Sequence, residues 1–310
     1  MMNTVLSLAG AGVRAAGSVS PRWGAAAAMP LFAHVDRPRP VRTVDLPTMS
    51  RSRRSVVRIP GVAGTGVDVV AYEWGAGNRT VVLAHGWNGR ASQFATLVRE
   101  LIAERYRVVA FDAPAHGDSA GRRTYLVDWR DVLGALQERY GRFEAIVGHS
   151  FGGLAALVST AGGIETERVV TVAAPAAAET LLTQFQSTLR YPDRTSDALV
   201  QLFARKYFPG DADPFTWLSA VRRPLPGTPL LVIHDDADRR VPFAEASRIT
   251  DANPGSRLLS TSGYGHNRIL TADPFLDAVV DFVAQPVPTS SRAVEASAAA
   301  LRETAEAVAV

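Results

Sequence analysis

The chain has 310 residues, of which 47% are hydrophobic and 20% charged, a balance typical of one large globular domain or two small ones. It contains no cysteine, which excludes disulfides, thiolate metal sites and a cysteine nucleophile. The net charge of +3 is uneven, because residues 1–60 hold nine arginines and two aspartates while the remainder holds 24 basic and 28 acidic residues. The arginine cluster at 51–58 has no interleaved aromatic residues, so we predict a solvated linker there and no nucleic-acid site.

Residues 1–54 are rich in Ala, Gly, Pro and Arg, and we predict a basic N-terminal extension. Proline interrupts regular structure at 38, 40 and 47, so we expect a short helix within 3–16 followed by an extended arm. The first apolar stretch is too short for a typical secretory signal, and no stretch approaches the ~20 apolar residues that span a bilayer. We therefore predict a cytoplasmic protein without a transmembrane segment, with secretion as the alternative.

From residue 55 onward, short apolar runs alternate with segments of helical periodicity. The predicted strands cover residues 56–59, 67–74, 80–84, 107–111, 145–147, 169–173, 230–233 and 257–259. The predicted helices cover residues 92–104, 129–140, 154–160, 243–250 and 274–283. Strands that are apolar on both faces and alternate with helices indicate an α/β fold with a mostly parallel sheet covered on both sides.

Residues 176–227 interrupt this alternation with three helix-like segments and no strand between them. The segments cover 179–189, 196–207 and 214–221, and we interpret them as a helical cap inserted over the carboxyl edge of the sheet. The main domain then covers 55–285. Residues 286–310 form a C-terminal tail whose Ala/Glu/Arg-rich end looks helical.

A tight turn carries the candidate nucleophile. Residues 148–153 read Gly-His-Ser-Phe-Gly-Gly between a predicted strand and a predicted helix, and they fit the pattern G-x-S-x-G. Small residues at both ends allow a sharp turn without a side-chain clash, which leaves Ser150 standing at its top. Because the motif lies between a predicted strand and a predicted helix, we favour a catalytic serine over a plain glycine-rich turn.

A serine hydroxyl is a weak nucleophile that needs a base and a third group to orient that base. Among the six histidines, His266 lies in a glycine-rich loop after a predicted strand and before the last helix, which places it at the same sheet edge as Ser150. We therefore predict His266 as the base. The acid should follow the strand at 230–233, and the candidates there are Asp235, Asp236 and Asp238.

Residues 55–285 resemble the α/β-hydrolase superfamily, in which the triad follows the chain order Ser, Asp, His. Related sequences commonly carry the acid in D-x-x-V-P, so the resemblance implies Asp238, with Asp236 second. The nearest likeness is to uncharacterised, cap-bearing bacterial serine hydrolases of the esterase group. The resemblance therefore implies an α/β-hydrolase fold and a mechanism, but no particular substrate.

Further motifs carry the same resemblance. Ala84-His85-Gly86-Trp87 is similar to the family's H-G-x loop, which implies that the Trp87 N–H is one oxyanion donor. The second implied donor is the N–H of Phe151, the residue after the nucleophile. The stretch at 112–119 matches D-x-P-x-H-G-x-S, which implies a structural turn.

Two further residues are predicted at the substrate pocket. They are His85 and Trp217, and packing in the core or cap is the alternative for each. The local run of aspartates at 235–238 lacks other ligands, so we expect no metal and no cofactor.

The resemblance implies a serine hydrolase that cleaves an ester-type acyl bond through an acyl-enzyme, with a carboxylesterase as the favoured type. Thioesters, lactones, amides and carbon–carbon bonds remain open as substrates, and so does acyl transfer to an alcohol. A receptor that binds ligand without turnover, or a scaffold whose basic arm docks on a partner, are the alternatives from other classes. We expect a small-molecule acyl substrate as the partner, and the sequence leaves a homo-oligomer open.

Overall fold

The computed structural model describes residues 2–38, 40–61, 64–211, 213–225 and 227–286, with side chains from residue 7 onward. Within these residues, eight strands form one sheet in the order β1-β2-β4-β3-β5-β6-β7-β8. The strands are β1 (Arg53–Ile59), β2 (Val67–Trp74), β3 (Thr80–Ala84), β4 (Arg107–Asp112), β5 (Ala145–His149), β6 (Val169–Val172), β7 (Leu230–Asp235) and β8 (Arg257–Thr261). β2 is antiparallel to β1 and to β4, and the other neighbouring pairs are parallel.

Helices cover both faces of this sheet. They are α1 (Met2–Val19), α2 (Pro21–Phe32), α3 (Leu46–Met49), α4 (Ala95–Ala103), α5 (Leu126–Tyr140), α6 (Phe151–Ala161), α7 (Ala178–Leu189), α8 (Asp193–Tyr207), α9 (Pro214–Trp217), α10 (Ala244–Ala252), α11 (Gly265–Arg268) and α12 (Asp273–Ala284). None of the described helices combines the length and hydropathy that crossing a bilayer requires.

Alternation along each strand divides the interior into two cores. On β3, Val81 and Leu83 pack into one core together with α4 and α12. Val82 and Ala84 pack into the other, with α5, α6 and α10. The predicted α/β fold with a mostly parallel, doubly covered sheet is confirmed.

Three helices stand between β6 and β7, where the sequence predicts three helical segments. α7, α8 and α9 follow the carboxyl end of β6 without an intervening strand. These three helices are called the insertion here, and α7 and α8 supply walls of the cavity described below. The predicted C-terminal tail lies outside the described residues, apart from residue 286.

The extended arm predicted after residue 16 is wrong, because α1 and α2 form a helical pair packed on α7 and α8. A Cβ atom on Gly24 would lie 2.8 Å from both the Gly17 Cα and the Thr195 Cγ2, so glycine lets the helices approach closely. Arg14 Nη1 donates to the Leu189 carbonyl at 2.6 Å. The prolines at 38, 40 and 47 restrict only the segment after α2. They therefore do not prevent α1 and α2 from forming.

The linker predicted at 51–58 is also wrong, because most of these residues form the edge strand β1. Two of its arginines pair with acids of the neighbouring strand β2. Arg53 Nη2 lies 2.7 Å from Glu73 Oε2, and Arg58 Nη1 lies 2.7 Å from Asp68 Oδ1. Charged side chains along an edge strand oppose further strand pairing.

Candidate active site

Ser150 stands at a sharp turn between β5 and α6. Its backbone has φ 53° and ψ −120°, a strained conformation for a residue with a side chain, and its N–H donates to the Val172 carbonyl at 2.8 Å. A Cβ atom on Gly148 would overlap the backbone of Gly152, and one on Gly152 would overlap the carbonyl of Ala84. Both glycines of the motif are therefore required by close backbone approach.

The structure brings three predicted site residues together. The Nε2 of His266 lies 3.1 Å from the Oγ of Ser150, and its Nδ1 lies 2.7 Å from the Oδ2 of Asp238. With the proton on Nδ1, the imidazole donates to the carboxylate and its Nε2 accepts from the serine hydroxyl. This arrangement can take a proton from the serine and hold an imidazolium next to a negative charge.

The Asp238 carboxylate is fully buried and held from both sides. Its Oδ1 accepts from the amides of Arg240 and Val241 at 2.7 and 3.0 Å. Burial opposes ionisation, but the hydrogen bonds from His266 and from these amides outweigh it and lower the pKa of Asp238. Asp236, second in the sequence prediction, has an exposed side chain, and its backbone amide donates to the Thr261 carbonyl at 2.9 Å.

Asp235 holds the loop that carries the base. Its buried carboxylate accepts four hydrogen bonds of 2.8–3.1 Å, from the Thr261 hydroxyl and the amides of Ala237, Tyr264 and Gly265. Burial again opposes ionisation, but these donors lower the pKa of Asp235. The sequence offered Asp235 only as a competitor for the role of triad acid, and a positioning role was missed.

His149 lies next to His266, with ring centroids 4.8 Å apart. Burial and the neighbouring His266 lower the pKa of His149 to about 3, so the ring is neutral at physiological pH. Its Nε2 donates to the His266 carbonyl at 2.8 Å. The contact of this ring with the predicted base was not anticipated from the sequence.

Trp87 and Phe151, whose amides are the predicted oxyanion donors, line the same cavity as Ser150. A Cβ atom on Gly86 would lie 2.9 Å from the Ser150 Cβ, so the loop carrying Trp87 touches the turn. The Trp87 ring packs edge-to-face on the Phe151 ring at 5.1 Å. Within the described residues, neither the Trp87 nor the Phe151 amide donates a hydrogen bond. Phe151 is the first residue of α6, so its amide stands at the positive end of that helix.

His85 and Trp217 do not line the cavity beside Ser150. His85 is fully buried, its Nδ1 donates to the Gly86 carbonyl at 2.7 Å, and its Nε2 accepts from the Ala113 amide at 2.9 Å. Burial lowers the pKa of His85 to about 4. Trp217 packs edge-to-face on Phe208 at 5.1 Å. The pocket role predicted for both is corrected to packing and loop support.

A cavity of about 320 Å³ opens beside Ser150 and His266. Its walls are mainly apolar and come from the turn, from the start of α5, from α7 and α8 and from the end of α2. The apolar side chains include Met29, Phe32, Leu126, Leu181, Phe185 and Phe203. Among the described lining residues, Arg240 is the one arginine, and there is no lysine, aspartate or glutamate. The cavity suits an uncharged, apolar group next to the serine.

The chain is similar to known proteins in sequence and in fold. The model of the alpha/beta hydrolase family matches residues 81–308. The uncharacterized hydrolase YugF of Bacillus subtilis (strain 168) is 31% identical over 81 residues, which cover 25% of this chain and only 29% of YugF.

Two solved esterases share the fold. An esterase of Pyrococcus furiosus superimposes with a TM-score of 0.58 at 22% identity, over 82% of this chain and 99% of its own. A thermophilic esterase of Thermogutta terrifontis superimposes with a TM-score of 0.51 at 18% identity, over 74% of this chain and 98% of its own.

Proposed function

The chain belongs to the alpha/beta hydrolase family, and on that premise we propose that it is a serine hydrolase cleaving an ester-type acyl bond. One observation carries the proposal: the hydrogen-bond relay from Ser150 through His266 to Asp238, with steps of 3.1 and 2.7 Å. A relay of alcohol, imidazole and buried carboxylate is the arrangement that activates a serine for attack on a carbonyl carbon.

In the proposed reaction, Ser150 Oγ attacks the ester carbonyl carbon while His266 Nε2 removes the hydroxyl proton. The carbonyl oxygen becomes an oxyanion that accepts hydrogen bonds from the Trp87 and Phe151 amides, each typically worth ~3 kcal/mol in the transition state. The intermediate collapses, the alcohol leaves with the proton from His266, and an acyl-enzyme remains. Water deprotonated by His266 then releases the carboxylic acid and restores Ser150.

The cavity supports a substrate with a short or medium acyl chain. A water molecule occupies about 30 Å³ of liquid, so 320 Å³ holds roughly ten non-hydrogen atoms. An octanoyl group fits this limit and a palmitoyl group exceeds it. We therefore propose a carboxylesterase. Thioesters, lactones and acyl transfer would use the same triad and are tested as substrates alongside esters.

The direct test is labelling with a fluorophosphonate probe, which forms a covalent bond with an activated serine. The wild-type protein should be labelled at Ser150, and Ser150→Ala should not react. Ser262→Ala, an exposed serine on the loop before His266, is the control and should label fully. Labelling that persists in Ser150→Ala would contradict the assignment of the nucleophile.

A substrate panel tests the type of bond and the acyl length. We expect hydrolysis of p-nitrophenyl butyrate and octanoate to exceed that of the palmitate, and Ser150→Ala to lose activity on all three. Preference for a thioester or a lactone would indicate a thioesterase or a lactonase instead of a carboxylesterase. Absence of turnover on every acyl compound, together with a ligand-dependent rise in melting temperature, would favour a receptor.

A further inference from the structure

One wall of the cavity comes from a part of the chain that precedes the family match. That match begins at residue 81, whereas α2 ends at Phe32. Nevertheless Met29, Phe32 and Ala33 line the same cavity as Ser150. The N-terminal segment, expected as an arm, is therefore part of the surroundings of the proposed nucleophile.

Phe32 joins the two long helices of the insertion at the cavity. Its ring packs edge-to-face on Phe185 of α7 with centroids 5.2 Å apart and on Phe203 of α8 at 6.1 Å. Met29 lies one helical turn earlier and is buried. Such aromatic clusters have defined geometry and are held by burial as well as by ring contacts. The side chain of Phe32 thus forms a fixed surface of the cavity.

The segment after α2 is tied to the loop of the proposed oxyanion donor. The Asp36 amide donates to Asn88 Oδ1 at 3.0 Å, and Asn88 Nδ2 donates to Asp36 Oδ2 at 2.9 Å. Asn88 follows Trp87 directly, has a φ of 55°, and donates from its own amide to His116 Nε2 at 3.0 Å. The wall is therefore anchored both on the insertion helices and on the loop next to Ser150.

We propose that α2 is a specificity-determining wall, in which Phe32 and Met29 limit the length of acyl chain that the cavity accepts. This inference rests on the proposed function, because it concerns the acyl group transferred to Ser150. With a smaller residue at position 32, the cavity loses the surface that would stop an acyl chain lying between α7 and α8. Since packed surroundings relax only partly around a truncated side chain, space for a longer chain opens there.

The test compares kcat/KM for p-nitrophenyl dodecanoate and butyrate in the wild type, Phe32→Ala and Met29→Ala. We expect the dodecanoate-to-butyrate ratio to rise at least about tenfold in Phe32→Ala, since even one methylene in an apolar pocket changes kcat/KM by about that factor. Met29→Ala should shift the ratio in the same direction. The control is Trp23→Ala, also on α2, because Trp23 is 62% exposed and away from the cavity; its ratio should equal that of the wild type.

An unchanged ratio in both cavity variants, with fluorophosphonate labelling of Ser150 intact, would overturn this inference and leave the proposed function standing. If the wild type itself is not labelled, both this inference and the proposed function are contradicted. If Phe32→Ala does not fold, Phe32→Leu replaces it, because leucine keeps an apolar contact with α7 and α8 while shortening the wall. Equal ratios in Phe32→Leu, Met29→Ala and the wild type would likewise overturn the inference.

Discussion

At the scale of single residues, the position of His266 is held from three sides. Asp238 accepts from Nδ1, His149 donates to the carbonyl, and Asp235 accepts from the amides of the preceding two residues. These contacts leave Nε2 facing Ser150. An imidazole held in one orientation and one tautomer loses less entropy on reaching the transition state than a mobile one.

His149 is a positioning residue by this geometry, because its ring donates to the His266 carbonyl. We expect His149→Ala to lower kcat about tenfold with little change in KM, because a base shifted by a fraction of an ångström transfers protons poorly. His149→Gln, which keeps a donor, should recover part of the loss. Steady-state kinetics on p-nitrophenyl butyrate, with melting temperature as a check on folding, measures both. Equal losses in the two variants would contradict the role of the hydrogen bond.

At the scale of elements, the turn between β5 and α6 depends on close packing against the end of β3. The first turn of α6 passes so near the Ala84 carbonyl that Gly152 has no room for a side chain. β3 lies between β4 and β5 and is paired on both sides, so it has no space in which to move away. The strained φ of Ser150 is held by this packing.

Gly152→Ala should therefore destabilise the fold by about 3 kcal/mol, the upper range for overpacking a well-packed interior. Gly134→Ala in α5 is the matched control, because its Cβ would meet only Ile164 Cδ1, at an ordinary 3.9 Å. That change should stabilise the protein by about 0.5–1 kcal/mol, the usual gain from replacing a mid-helix glycine. Urea unfolding measures both. A Gly152→Ala protein as stable as the wild type would show that the turn tolerates a side chain.

At the scale of the whole molecule, the carboxylate of Asp235 joins the ends of β7 and β8 to the loop of His266. Its pKa is lower in the folded protein than in the unfolded chain. Its stabilising contribution is therefore complete above the unfolded value of about 3.9. It declines as the pH falls through the folded pKa, since the unfolded chain then binds the proton more readily.

We expect Asp235→Asn to lose about 3 kcal/mol at neutral pH, because an amide nitrogen would face buried N–H donors. Its stability should then fall less steeply than that of the wild type below about pH 4. Asp236→Asn, at the exposed neighbour, should match the wild type at every pH. Urea midpoints measured from neutral to acid pH report the difference. Parallel curves for Asp235→Asn and the wild type would contradict the assignment.

The local patterns of the sequence were sufficient for the sheet and for the motifs at its edge. Strands predicted at 67–74 and 80–84 coincide with β2 and β3, because alternation and apolar runs reflect the backbone state of the residues that carry them. The spacing of Gly148, Ser150 and Gly152 identified the turn, since its requirement for small residues is local. The glycine-rich loop before the last helix indicated His266, and the resemblance to the D-x-x-V-P motif implied Asp238. The structure brings both residues to Ser150.

Only the tertiary structure decided which neighbouring residues serve that edge and which line the cavity. The motif D-x-x-V-P singles out Asp238, but the role of Asp235 follows from distant partners at 261–265, which its local sequence does not reveal. The approach of Phe32 to Phe185 and Phe203 joins positions more than 150 residues apart along the chain. Contacts of this kind depend on how whole helices pack against each other. The periodicity of a segment indicates which face of a helix is apolar, but it does not indicate which element packs on that face.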